Sequence, residues 1–200
     1  MPKFIKFIIV VVLSMSPLAL KGTWYTVCLD PGHCGIADPG ALGANGEEEP
    51  NESDFNLDIA RESYTDLTCN WGMQVLLTRW TETDTPKIQP KEKAWKANGE
   101  MENPLGQKTD YPVSCDVSIH NDASGDTTKH GTKTYYTFGS KPFADAVHWG
   151  ATGWLAALSW FNNQDVRRES FAFLKHCKSP ACLIEVAYTT HTETEPWGPG

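Results

Sequence analysis

Short apolar runs alternate along this chain with stretches whose apolar residues return every three or four positions. Residues 24–29 alternate and stop at Asp30-Pro31-Gly32, which predicts a strand running into a turn. From Asp54 onward, Leu57, Ala60, Tyr64 and Leu67 recur at helical spacing, placing Glu52 at the start of an amphipathic helix and facing the loop that carries His33. Residues 73–78 read as a second strand and 91–98 as a short helix, while 99–111 are polar, hold Gly99, Pro104 and Gly106, and predict a surface loop. Residues 113–119 form the strand that delivers His120, and 132–138, rich in Thr and Tyr, another. The clearest helix follows, with Phe143, Ala146, Val147, Gly150, Ala151, Trp154, Leu155, Leu158 and Phe161 on one stripe. Strands alternating with helices predict an α/β fold: a single domain with a twisted, mostly parallel or mixed sheet covered on both faces.

Composition narrows the picture. Hydrophobic residues make up 40% and charged residues 21% of 200 residues, a globular balance. The 17 Lys and Arg against 25 Asp and Glu give a net charge of −8, which argues for no nucleic-acid partner. Met1-Pro2-Lys3-Phe4-Ile5-Lys6, the apolar residues 7–13 and the break at Ser14-Met15-Ser16-Pro17 describe an export signal, the apolar part being too short to span a bilayer. Residues 1–22 are therefore expected to export the protein to the periplasm or the extracellular cell wall. Because no Ala-x-Ala triplet follows, they are also a candidate membrane anchor or transient tether. Residues 23–200 are expected to form one monomeric domain. Export would let the even set Cys28, Cys34, Cys69, Cys115, Cys177 and Cys182 pair, in no particular combination. His176, Cys177 and Cys182 make only a weak ligand cluster, since no second Cys-x-x-Cys half accompanies them.

The chemistry lies in three separated pieces: Val27-Cys28-Leu29-Asp30-Pro31-Gly32-His33, Ser118-Ile119-His120 and Ala181-Cys182-Leu183-Ile184-Glu185. Each polar residue follows an apolar run, so it would stand at a strand end, where ligands gather in an open α/β sheet. With Glu52, the chain offers two imidazoles and a carboxylate for a metal, plus a spare carboxylate, Glu185. That inventory suits a hydrolytic Zn2+ site, which uses three protein ligands and leaves one position for water. Glu47, Glu48 and Glu49 look like a solvated charge run, whereas Glu52 has the helix register. Glu185 within an apolar strand needs either a function or a partner such as Arg167 or Lys175. His130 and His148 are expected on the surface or a helix face, and His191 is a candidate substrate contact. Trp154 and Phe161 are expected in the core, while Trp71, Trp80 and Trp197 are candidates to line a glycan groove.

Taken in order, these segments resemble the zinc-dependent N-acetylmuramoyl-L-alanine amidases of the autolysin and sporulation type. The likeness runs through Leu29-Asp30-Pro31-Gly32-His33, Asp38-Pro39-Gly40-Ala41, Glu52-Ser53-Asp54-Phe55-Asn56-Leu57 and Val75-Leu76-Leu77-Thr78-Arg79. It continues in Ser118-Ile119-His120-Asn121-Asp122-Ala123, Gly131-Thr132-Lys133-Thr134-Tyr135-Tyr136 and Pro180-Ala181-Cys182-Leu183-Ile184-Glu185. The resemblance implies a sheet of about six strands, His33, Glu52 and His120 as zinc ligands, and Glu185 as the catalytic carboxylate. It also implies peptidoglycan as partner and cleavage of the amide joining muramic acid to L-alanine, with Asn121 or a backbone amide available to the oxyanion. Cys34 after the first ligand, the extra residue at Ile36-Ala37, Gln164-Asp165 and His191 depart from the family pattern, and the family's last helix after Glu185 is expected to be missing. The rival readings are a zinc exopeptidase, which lacks its usual His-x-x-Glu pair here, and an inactive exported wall-binding domain on the same scaffold.

Overall fold

The computed structural model describes residues 26–43, 50–81, 88–103, 105–106, 108–110, 112–153 and 163–190. The leader expected at residues 1–22, the helix stripe beyond Gly153 with the expected core residues Trp154 and Phe161, and His191 and Trp197 lie outside them. No helix among the described residues is long and apolar enough to cross a membrane.

Six strands form one sheet in the order β2-β1-β3-β6-β4-β5, where β1 is Thr26–Pro31, β2 Gln74–Leu77, β3 Cys115–Asp122, β4 Thr132–Tyr136, β5 Asn163–Arg168 and β6 Ala181–Tyr188. The first four in that order run parallel, β4 lies antiparallel to β6, and β5 is parallel to β4. Helices α1 (Glu52–Cys69), α2 (Pro90–Ala97), α3 (Lys141–Thr152), the single turn α4 (Ala172–His176) and a 3-10 turn at Gly35–Ala37 complete the described fold. The expected mixed α/β sheet is thus the architecture found.

Alternation along the strands builds two cores. Val27 and Leu29 of β1, Val117 and Ile119 of β3 and Ile184 of β6 point to the face covered by Ile59, Ala60 and Leu67 of α1 and Ala144, Val147 and Ala151 of α3. On the opposite face α2 and α4 bury Ala94, Phe173 and Leu174 against Ala181 and Leu183, and Ala97 joins Cys28, Leu76 and Val113. All four parallel strands therefore have both faces covered, which explains their near-continuous apolar sequences.

Several local expectations need correction. His148 is buried rather than superficial, its Nδ1 2.9 Å from the Thr134 hydroxyl, so it ties α3 to β4. All six cysteines are free thiols in this structure. Strand β5, Asn163-Gln164-Asp165-Val166-Arg167-Arg168, has no apolar alternation to announce it, and its charges suit an edge strand that must not pair with another molecule.

Asp116 in β3 is fully buried, and neither of its carboxyl oxygens is hydrogen-bonded. The thiols of Cys28 and Cys177 beside it are weak donors at best. Burial, together with the nearby Asp30 charge, pushes its pKa well above the usual carboxylate range. The folded chain then keeps a proton that the unfolded chain releases above about pH 4, so this residue lowers stability as pH rises from there. Asp116→Asn is expected to raise the urea midpoint at pH 8 and to change it little at pH 4. An equal gain at both pH values would contradict a buried neutral acid.

Candidate active site

The site lies just past the carboxyl end of β1 and on the carboxyl-terminal halves of β3 and β6. Its first member, His33, has a φ of +62°, a left-handed conformation that side chains other than glycine rarely adopt. Two buried cations hold the turn in place. Lys93 of α2 donates from Nζ to the Pro31 carbonyl at 2.8 Å and to the His33 carbonyl at 3.1 Å. Arg79, after β2, donates to Pro31 at 3.2 Å, to Gly32 at 3.0 Å and to Ser53 at 2.7 Å, which ties the turn to the first residues of α1. Asp30 balances this positive charge, lying 3.1 Å from Lys93 and accepting the Thr78 and Ser118 hydroxyls at 2.5 and 2.6 Å. Burial alone would raise the Asp30 pKa, but the Lys93 ammonium and the two hydroxyls outweigh it and hold the carboxyl below its ordinary value. Strain of this kind persists only where the surroundings over-determine it, as they do here.

Glu52 is the first residue of α1, preceded by an Asn51–Asp54 capping box, so its carboxylate sits at the positive end of the helix dipole. One oxygen lies 3.0 Å from His33 Nε2 and accepts the Ala41 amide at 2.9 Å. The other lies 2.9 Å from His120 Nδ1 and accepts the Asn121 amide at 3.3 Å and the Asn56 side chain at 3.4 Å. Burial would raise the Glu52 pKa, yet the His120 and His33 imidazoles drive it far below the carboxylate range. The same contacts, with Asp38 Oδ1 3.2 Å from His33 Nδ1, raise the His33 pKa although burial opposes them.

One donor atom from each of His33, Glu52 and His120 lies within 4.8 Å of the others, forming the one group among the described residues able to hold a metal ion. The cradle around them leaves no spare volume. A Cβ at Gly32 would come 2.3 Å from Cε1 of His120, and one at Gly40, whose φ is +71°, would meet a Glu52 oxygen at 2.5 Å. Two imidazole nitrogens and one carboxylate oxygen fit a small borderline cation. Gly32→Ala tests this cradle without a φ penalty. Displacement of the His120 ring is expected to weaken zinc roughly 10- to 100-fold in a chelator competition, and unchanged affinity would contradict the tight packing.

Glu185 stands in β6 in register with His120 on one side and Lys133 of β4 on the other. Its pKa is pushed up to about 8, first by burial and then by the charges of Glu52 and Asp122, with Lys133 opposing. One of its oxygens is buried without a hydrogen-bond partner. Arg167 pairs with Asp165 at 3.3 Å instead, and Lys175 is exposed on α4, so neither supplies the counter-charge considered from the sequence.

The structure brings the four sequence-derived candidates His33, Glu52, His120 and Glu185 together. It assigns Asn121 elsewhere: this residue is buried and donates from Nδ2 to Asn56 Oδ1 at 2.8 Å, so it supports Glu52 rather than facing a substrate. Trp71 lies just past the far end of α1 from Glu52, and Trp80 packs edge-on against Tyr64, so neither lines this site. Missed in the sequence were the supporting groups. Asp30, Asp38, Asn56 and Arg79 fall inside motif segments that gave them no role, whereas Lys93 carries no local signal at all.

The description N-acetylmuramoyl-L-alanine amidase belongs to a family model that matches residues 27–197. Similar curated proteins include N-acetylmuramoyl-L-alanine amidase LytC of Bacillus subtilis, 29% identical over 171 residues that cover 83% of this chain and 30% of LytC. Another is the probable cell wall amidase LytH of Staphylococcus aureus, also 29% identical, with 85% of this chain and 50% of LytH covered. The chain thus spans half or less of the length of these relatives. Among solved structures, the catalytic domain of the amidase CwlV from Paenibacillus polymyxa superposes with a TM-score of 0.65 at 28% identity, covering 84% of this chain and 82% of that domain. The chain belongs to the N-acetylmuramoyl-L-alanine amidase family.

Proposed function

We propose that this domain is a zinc-dependent hydrolase that cuts the amide between N-acetylmuramic acid and the L-alanine of peptidoglycan. The observation that carries the reading is the row His120–Glu185: a half-buried carboxylate, one oxygen of which is buried and unbonded, in register with a member of the only metal-capable cluster among the described residues. His33, Glu52 and His120 would hold the ion. Bound there, zinc would supply a Lewis acid for the scissile carbonyl and acidify a water.

The chain's own residues do the rest. Asn56 and the Ala41 and Asn121 amides keep Glu52 aimed at the imidazoles, and Asp38 orients the His33 ring. Glu185 takes the proton from the attacking water and returns it to the leaving alanine nitrogen. Burial and the neighbouring Glu52 and Asp122 charges push its pKa up, which strengthens it as a proton carrier. The scaffold therefore keeps both the donor set and the carboxylate that an inactive wall-binding domain would not need.

We further infer export to the cell wall or periplasm and action as a monomer. Incubation of purified wall with the protein is expected to release peptides beginning with L-alanine, and a chelator to stop that release. Glycan fragments with intact stems, or release indifferent to the chelator, would overturn the proposal.

A further inference from the structure

The row that holds His120 and Glu185 continues onto β4, and what it meets there is positive. Lys133 is the register partner of Glu185, and two positions on, Tyr135 is the register partner of both Leu183 and Arg167 of edge strand β5. Alternation puts the side chains of Lys133, Tyr135 and Arg167 on the same sheet face as Glu185. Phe171 closes one side, its ring 5.2 Å edge-on from that of Tyr135. Lys133 lies 2.5 Å from Asp122 and 4.9 Å from the Tyr188 ring, and an ammonium has three donors, so these contacts leave capacity for another acceptor. Arg167 is 54% exposed and, among the described residues, pairs with the more exposed Asp165 at 3.3 Å, a loose pair.

This shelf stands out against its surroundings. The chain carries a net charge of −8, and Glu52, Glu185 and Asp122 crowd the site itself. Lys133 and Arg167 on β4 and β5 set positive charge beside this acidic site, where an anionic peptide gains attraction. Resting on the amidase reading above, the leaving group is a stem peptide. Its second residue is a glutamate joined through its side-chain carboxyl, so its α-carboxyl remains free or is amidated.

We propose that Lys133 and Arg167 form a subsite for that free carboxylate, making the domain selective for acidic over amidated stem peptides. Tyr135 and Phe171 supply an apolar floor for the peptide between the two cations.

The test uses two synthetic substrates, N-acetylmuramoyl-L-alanyl-D-isoglutamate and the matching D-isoglutamine compound, with the zinc-loaded full chain at low salt. The expected kcat/KM is about tenfold or more higher for the acid, with the difference mainly in KM. Arg167→Ala, a change at an exposed edge that the fold tolerates, and Lys133→Gln are each expected to shrink the ratio toward one by losing the acid substrate. Equal hydrolysis of both compounds by the unaltered protein overturns the subsite alone, as does a ratio that neither variant changes. Hydrolysis of neither compound overturns the amidase reading and the subsite with it.

Discussion

His33→Ala and His120→Ala are each expected to emerge from equilibrium dialysis without zinc, whereas the unaltered protein holds about one ion per chain. Removing one imidazole leaves two protein donors, and the loss should exceed the 10- to 100-fold that a supporting group contributes. The effect is severe because the polar groups packed around the three ligands are already engaged. Asp38 is turned to His33, Asn121 and Asn56 are engaged with each other and with Glu52, and the glycine cradle admits no larger side chain. Stoichiometric zinc in the double variant would sink the ligand assignment.

The four candidates were legible because each lies at a place that simple rules mark. His33, His120 and Glu185 follow apolar runs, and Glu52 opens a periodic helix, so alternation and helical spacing bring all four to one edge of the sheet. The frame behind them was less legible. Lys93 sits in a short polar helix that reads as a solvated surface, and only the fold reveals that its ammonium reaches under the His33 turn. Strand β5 and helix α4 were invisible for a related reason. One is a polar edge and the other a single turn, and neither has enough residues facing a core to set a period. His148 looked superficial because a helix stripe says nothing about which polar residue will meet Thr134 across the interface.

Glu185→Gln is expected to keep its zinc while turnover falls by roughly 10² to 10⁴. The amide preserves shape but cannot take a proton from water. Glu52→Gln should behave in the opposite way and lose the metal. Both Glu52 oxygens face donors, the Ala41 amide on one side and the Asn121 amide on the other. Either placement of the new NH2 group therefore sets donor against donor, and the site weakens before any ion arrives. Metal loss in Glu185→Gln with zinc and activity intact in Glu52→Gln would mean the two glutamates have each other's roles. Full activity in both would refute the mechanism.

The Asp30–Lys93 pair has a bearing on the medium in which such a domain would work. Its side chains are 2% and 4% exposed, so mobile ions cannot come between them. At 0.15 M salt the Debye length is about 8 Å, and only charges open to solvent are attenuated over that distance. Within the counterion-rich layer around an anionic wall polymer, the turn bearing His33 would stay locked while the attraction exerted by exposed Arg167 fades. Ionic strength would then set how selectively the domain cuts, and leave its catalytic frame untouched.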